Sequence, residues 1–136
     1  MENTKLTFLP KLEDSIKQIL NIPITDERKE VLSPLIHYIR EKQDKNEAIN
    51  LNFICTHNSR RSQFSQIWAK VAASYFGVEA NCYSGGIEIT AFNERAVASL
   101  QRIGFRTISD NATENPKYEV FYSEMKPGIK AFSKLV

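Results

Sequence analysis

Cysteine is scarce: two in 136 residues, Cys55 and Cys82. Two thiols cannot make a disulfide framework, and they fit a reducing compartment where thiols stay free. Long hydrophobic runs are missing too. No stretch approaches the roughly 20 apolar residues that span a bilayer. Residues 1–10 hold no basic segment followed by an apolar one, so no secretory signal is visible. Charge of one sign is also lacking. Eighteen Lys and Arg against sixteen Asp and Glu leave a net +2, too slight a surplus to mark a nucleic-acid or membrane-surface binder. These absences lead to the expectation of a soluble, cytoplasmic protein. At 42% apolar residues the chain is far too hydrophobic to be disordered, and its length suits one core.

The first fifty residues differ from the rest, with eight basic and nine acidic side chains. Leu12, Ile16, Ile19 and Leu20 recur at helical spacing. Pro23 breaks the chain, and Thr25 with Asp26 and Glu27 signals a new helix start. Ser33-Pro34 reads as a further N-cap and N1 pair, ahead of an apolar face made by Leu32, Leu35, Ile36 and Ile39. Residues 41–47 are charged and expected to be solvated. We read residues 1–48 as a helical extension packed on a main domain formed by residues 49–136.

The pattern changes at Asn50. Leu51-Asn52-Phe53-Ile54 is a short, mostly apolar strand that ends in the polar stretch Cys55-Thr56-His57-Asn58-Ser59. A helix follows, with Phe64, Ile67, Trp68, Val71, Ala72, Tyr75 and Phe76 on one face and Gly77 as its stop. Val78 to Tyr83 reads as a returning strand and Gly85-Gly86 as the turn after it. A helix capped near Asn93 turns Ala96, Val97, Leu100 and Ile103 inward and closes at Gly104. Phe105 to Ile108 and Tyr118 to Tyr122 are extended pieces around a polar loop. Strand, loop, helix and strand make a βαβ unit, and the alternation predicts an α/β layered fold with a parallel sheet.

The chemistry is concentrated in residues 55–62, Cys-Thr-His-Asn-Ser-Arg-Arg-Ser. Five residues separate Cys55 from Arg61 between a strand and a helix start. Backbone N–H groups of such a loop converge on one point and favour an anion there. The same field stabilises a thiolate, so Cys55 is expected to be nucleophilic at neutral pH. Arg61 can grip two oxygens of a tetrahedral oxyanion, and Ser62 can donate to the sulfur. Asn58 can bond to loop backbone and hold a strained turn. His57 reads either as a group that tunes the thiolate or as a solvent-facing loop residue. Arg60 reads either as part of a positive rim or as a solvated side chain.

This stretch resembles the phosphate loop of the low-molecular-weight protein tyrosine phosphatase superfamily, which includes the thioredoxin-coupled arsenate reductases. The finer letters, Cys55-Thr56-His57-Asn58-Ser59 and then Arg61-Ser62-Gln63, lean towards the reductases. Tyr83-Ser84-Gly85-Gly86-Ile87-Glu88 and Asn93-Glu94-Arg95-Ala96-Val97 add to the likeness, which covers roughly residues 50–110. It implies a low-molecular-weight phosphatase-like three-layer α/β fold on a four-stranded parallel sheet. It also implies Cys55, Arg61 and Ser62 as catalytic residues, with Thr56, His57, Asn58, Ser59, Arg60 and Arg61 binding the oxyanion. Cys55 would attack arsenic or phosphorus while Arg61 and the loop amides hold the equatorial charge. A thiol–arsenate adduct would be reduced by further thiols; a phosphocysteine would be hydrolysed. Neither route calls for a metal or a cofactor, only a thiol or thioredoxin-type reductant for a reductase. The expected partners are phosphate, arsenate or a phosphorylated substrate, and thioredoxin.

Two family features have no counterpart. The aspartate that serves as general acid, usually followed by proline, is not found: the aspartate after Cys55 is Asp110, followed by Asn111, and we do not assign it that role. The reductases' pair of relay cysteines is not found either, and Cys82, inside the second strand, reads as a structural thiol. The last parallel strands are expected to be missing, with the apolar tail 129–136 stopping as it enters a core element. Two expectations follow: a truncated chain, or a homo-oligomer whose partner supplies the missing edge. The competing reading of the whole is a non-catalytic module that binds oxyanions without turning them over.

Overall fold

The computed structural model describes residues 6–136. Helix α1 (Pro10–Leu20) begins on a proline at its first position, where the missing N–H costs nothing. Helix α2 (Asp26–Asp44) is capped by Thr25, whose hydroxyl accepts from the Arg28 N–H. It runs unbroken through Pro34. The Ser33-Pro34 helix start expected from the sequence is therefore not used. An interior proline removes one backbone hydrogen bond and weakens a helix without always ending it. No residue of α2 is fully buried, and Tyr38 ties it to the sheet through its hydroxyl, which contacts both the N–H and the carbonyl of Asn50.

Strand β1 (Ile49–Cys55), helix α3 (Arg61–Tyr75) and strand β2 (Ala80–Gly86) form the βαβ unit. The two strands pair in parallel, from Ile49 opposite Ala80 to Cys55 opposite Gly86. Gly77 ends α3 with φ 70°, and the Val78 N–H reaches back to the Ala73 carbonyl at 2.7 Å, a glycine C-terminal cap as the sequence suggests. Ile67 and Val71 are buried and Phe64, Trp68 and Tyr75 pack against the core, whereas Ala72 and Phe76 face solvent.

Gly85 and Gly86 are not a turn, as expected from the sequence; they are the last two residues of β2. Their lack of a side chain is needed for close approach. A Cβ on Gly85 would lie 2.8 Å from the Val136 Cα, and one on Gly86 would lie 2.8 Å from the Thr56 carbonyl oxygen.

Helix α4 (Glu94–Ile103) is capped by Asn93, whose side chain accepts from the N–H groups of Arg95 and Ala96. Beyond it, β3 (Arg106–Ser109), β4 (Tyr118–Phe121) and β5 (Ile129–Ala131) pair antiparallel in the order β3-β4-β5. The architecture is thus mixed α/β, and the expectation of a parallel sheet holds for β1 and β2 but not for these three strands. Their connections are short loops without a crossover helix, and such links join antiparallel neighbours. The last residues lie beside the end of β2, where Leu135 bridges Gly86 in parallel.

The main core lies among α1, α3, α4 and the antiparallel strands. Leu12, Ile16, Ile67, Val71, Phe92, Leu100 and Val120 are its centre. Helix α1 is thereby part of that core. Its Leu12 is fully buried, and Gly104, at φ 125°, leaves no room for a side chain against the Leu12 backbone. No helix among the described residues is long and apolar enough to cross a membrane.

Replacing Leu12 with alanine is expected to destabilise the fold by about 2–5 kcal/mol, the range for a fully buried leucine. Val31→Ala on the exposed face of α2 is expected to stay within about 0.5 kcal/mol. Urea unfolding followed by circular dichroism measures both.

Candidate active site

The end of β1 delivers Cys55 to the mouth of the loop, and α3 starts six residues later with Arg61. Between them the backbone doubles back through Asn58, which holds φ 49°. That left-handed conformation is costly for most side chains but is tolerated by asparagine. The Asn58 side chain is completely buried and fully engaged. Its Nδ2 donates to Ser62 Oγ at 2.6 Å, and its Oδ1 accepts from Gln63 Nε2 at 3.0 Å and from the Lys134 N–H at 3.0 Å. The sequence suggests that Asn58 steadies the turn through loop backbone; it does so instead through two helix side chains and the backbone of the distant C-terminal segment.

Cys55 Sγ lies 3.0 Å from Ser62 Oγ. Burial pushes this thiol up, but the Ser62 hydroxyl and the backbone N–H groups of Ser62, Asn58 and Ser59 outweigh it. Together they lower the thiol from its ordinary 9.0 to about 7. Hydrogen bonds to the charged form win over desolvation here. A larger share of the molecules then carries a thiolate at neutral pH than for an ordinary cysteine.

A cleft of about 460 Å³ opens in front of the sulfur, lined by Cys55, His57, Ser59, Arg60, Arg61, Thr90 and Asn93. Arg60 and Arg61 are exposed and form no ion pair among the described residues. His57 is also exposed, with Nδ1 3.3 Å from a Glu88 carboxylate oxygen. Thr56, Asn58 and Ser62 do not line the cleft. Thr56 anchors the loop by accepting the N–H groups of Ile87 and Glu88 at 2.8 and 3.0 Å. Ser62 and Asn58 act from behind.

Several contributors act through partners that lie far away in the sequence. The Thr90 hydroxyl donates to the His57 carbonyl at 3.0 Å, and Ser133 Oγ donates to the same carbonyl at 2.9 Å. Asn93 caps α4 and also gives its backbone N–H to the Ser59 carbonyl at 3.0 Å. Gln63 is wholly buried, and its Nε2 donates to the carbonyls of Asn58 and Phe132. Its Oε1 is the one buried side-chain polar atom without a partner among the described residues.

Asp110 lies outside the cleft. Its Oδ1 accepts the N–H groups of Ala112 and Lys117, and these bonds hold its carboxyl below the usual value. Cys82 sits opposite Leu51, four positions back from Gly86, which faces Cys55. At about 3.3 Å per residue the two cysteines are separated by roughly 13 Å along the strands, beyond disulfide reach. Burial pushes the Cys82 thiol up. A larger groove of about 1300 Å³ runs between β2 and β5 and does not include Cys55.

With this geometry in view, the chain is similar to several curated arsenate reductases. It is 44% identical to that of Bacillus subtilis (strain 168) over 52 residues, which are 38% of this chain and 35% of that protein. It is 39% identical to that of Brevibacillus brevis over 62 residues, 46% of this chain and 43% of that protein. Against the arsenate reductase of Halalkalibacterium halodurans the figures are 38% over 68 residues, 50% and 46%. The chain thus spans less than half the length of these relatives. No family model matches, and no solved structure matches.

The rate of Cys55 alkylation by iodoacetamide is expected to titrate with a midpoint near 7, falling about tenfold per pH unit below it. Ser62→Ala removes the side-chain donor and leaves the backbone amides. Its midpoint is expected to move up, slowing alkylation on the acid side about tenfold for each pH unit that the midpoint rises. Measuring both in a Cys82→Ser background isolates the one thiol.

Proposed function

We propose that this chain acts on a tetrahedral oxyanion through the Cys55 thiolate, as an arsenate reductase-like enzyme. One observation carries the reading: a cysteine sulfur 3.0 Å from the Ser62 hydroxyl at the floor of a cleft that also carries two exposed arginines, Arg60 and Arg61. The similarity to arsenate reductases supports arsenate over other oxyanions.

In this reading the Cys55 thiolate attacks arsenic. A sulfur–arsenic bond forms, an arsenic–oxygen bond breaks, and the leaving oxygen departs as water after taking protons from solvent. Arg61 and the N–H groups of the loop hold the oxyanion's charge, an arrangement that stabilises the transition state without reorganisation. Arg60 extends the positive rim. A second thiolate then attacks the Cys55 sulfur. A disulfide forms, the electron pair of the sulfur–arsenic bond passes to arsenic, and arsenite leaves. Two thiols are oxidised as one arsenic is reduced from the pentavalent to the trivalent state. Cys82 is too far from Cys55 to be that second thiol without rearrangement, so an external dithiol of the thioredoxin type fits the role. The low-molecular-weight phosphatase-like fold belongs to the same proposal; the parallel βαβ unit with the loop at the strand end supports it.

Arsenite formation is expected to depend on added thiol or thioredoxin and to vanish in Cys55→Ser, while arsenate still protects that variant from thermal unfolding. Arsenate binding without turnover in the wild type, under ample reductant, would favour a binding module instead. Hydrolysis of an aryl phosphate with no thiol-dependent arsenite would favour a phosphatase.

A further inference from the structure

Behind the loop, the polar groups form one hydrogen-bond chain whose direction is forced at its far end. A backbone N–H and an ammonium can only donate. Lys134 turns both towards Asn58 Oδ1, its N–H at 3.0 Å and its Nζ at 3.5 Å. The carboxamide must therefore point its oxygen at Lys134 and its Nδ2 at Ser62 Oγ. Ser62 has a single hydroxyl hydrogen. With Asn58 already donating to its oxygen, that hydrogen is directed to Cys55 Sγ, 3.0 Å away.

The ammonium is itself held on several sides. Nζ lies 3.1 Å from Ser84 Oγ and 3.2 Å from the Phe132 carbonyl, so with Asn58 Oδ1 its three hydrogens face three oxygens. The Ser84 hydroxyl passes on to Gln66 Oε1 at 2.6 Å, and Gln66 Nε2 donates to the Cys82 carbonyl. Lys134 is half-buried and pairs with no carboxylate among the described residues. A cation left without a counter-ion in this position is expensive unless its donors are used, and here they are used on the loop's own scaffold.

We propose that Lys134 is a positioning residue for the nucleophile: by fixing Asn58 through its oxygen, it aims the Ser62 hydrogen at the Cys55 sulfur and holds the left-handed turn of the loop. The proposal rests on Cys55 being the reactive thiolate, but not on which oxyanion it attacks.

The test compares the full chain in a Cys82→Ser background with its Lys134→Met and Lys134→Ala variants. The measurement is the pH profile of Cys55 alkylation by iodoacetamide, with thermal melts to verify folding. Lys134→Met keeps most of the side-chain volume and is expected to fold and to raise the alkylation midpoint. The acid-side rate is expected to fall about three- to tenfold, as the midpoint moves up by roughly 0.5 to 1 on the pH scale. Lys134→Ala is expected to behave likewise, and propylammonium chloride should restore part of its rate where sodium chloride at equal concentration does not. A folded Lys134→Met with the wild-type profile would overturn the proposal, as would a change in Lys134→Ala that sodium chloride reverses equally well. Arsenate turnover measured alongside separates the two readings. An inert wild type with displaced variant profiles sinks the reductase assignment alone; an active wild type with unmoved variant profiles sinks the role of Lys134 alone.

Discussion

The site depends on one buried carboxamide. Asn58 sits at the left-handed turn of the loop, and the loop cannot close on Cys55 without that turn. Free in water, asparagine visits this conformation at a modest cost. Here the cost is offset by bonds from Gln63 and the Lys134 backbone and by one to Ser62, all made inside the protein, where an unmade hydrogen bond is expensive. Removing the side chain would leave several buried donors and acceptors unmatched at once. The thiolate's donors all sit on residues that this turn positions, namely Asn58, Ser59 and Ser62.

The constraint reaches outward through the glycines of β2. Gly86 allows the strand end to lie against Thr56 and Asn58, and Gly85 allows the tail to lie against β2. The tail then fills that opening: Gly86 donates its N–H to the Lys134 carbonyl at 2.8 Å and accepts from the Val136 N–H at 3.0 Å. Residues 132–134 thereby meet the loop along its rear, through the Phe132 carbonyl, the Ser133 hydroxyl and Lys134. The loop is thus clamped between α3 on one side and the C-terminal segment on the other. Its rigidity is a property of the tertiary fold rather than of the loop sequence. Gln63 shows the cost of such crowding. Its Nε2 serves the loop and the tail, while its Oε1 stays buried with no partner among the described residues, a penalty of about 1–3 kcal/mol.

What was legible in the sequence follows the range of the forces involved. The strand–loop–helix that carries Cys55 and Arg61, the Gly77 stop and the Asn93 cap are set by neighbours within a few residues, and all three appear where local chemistry puts them. The glycine pair at 85 and 86 was misleading, because a glycine needed for close backbone approach looks the same in sequence as one needed for a turn. Pro34 misled in a similar way: it marks a helix start by preference, yet a long helix can absorb it. The partners of Asn58 were out of reach for a different reason. Lys134 lies 76 residues away, and nothing in its immediate surroundings, Phe132-Ser133-Lys134, distinguishes a loop clamp from an apolar tail. β3 and β4 were legible as the extended pieces 105–108 and 118–122, but their antiparallel pairing was not, and β5, with only three residues, escaped for want of contrast.

The two kinds of positive charge near Cys55 now have separate physical roles. Arg60 and Arg61 stand in front of the sulfur, exposed and without an ion pair among the described residues, where water screens them and where an arriving anion would displace that water. Lys134 stands behind, half-buried, and its donors are spent on protein oxygens. In the proposed reading, a charge in front would draw and hold an oxyanion but do little for the geometry of the loop. A charge behind cannot touch a substrate, but it acts through a lower dielectric and fixes which atoms donate. The Ser62 hydroxyl and the N–H groups of Ser62, Asn58 and Ser59 are aligned on the sulfur, and they hold the thiol down although burial alone would raise it. Alignment of that kind comes from the rear of the loop. On the proposed reading the arginines in front are left to follow the ligand, since none of the donors that lower the Cys55 thiol belongs to them.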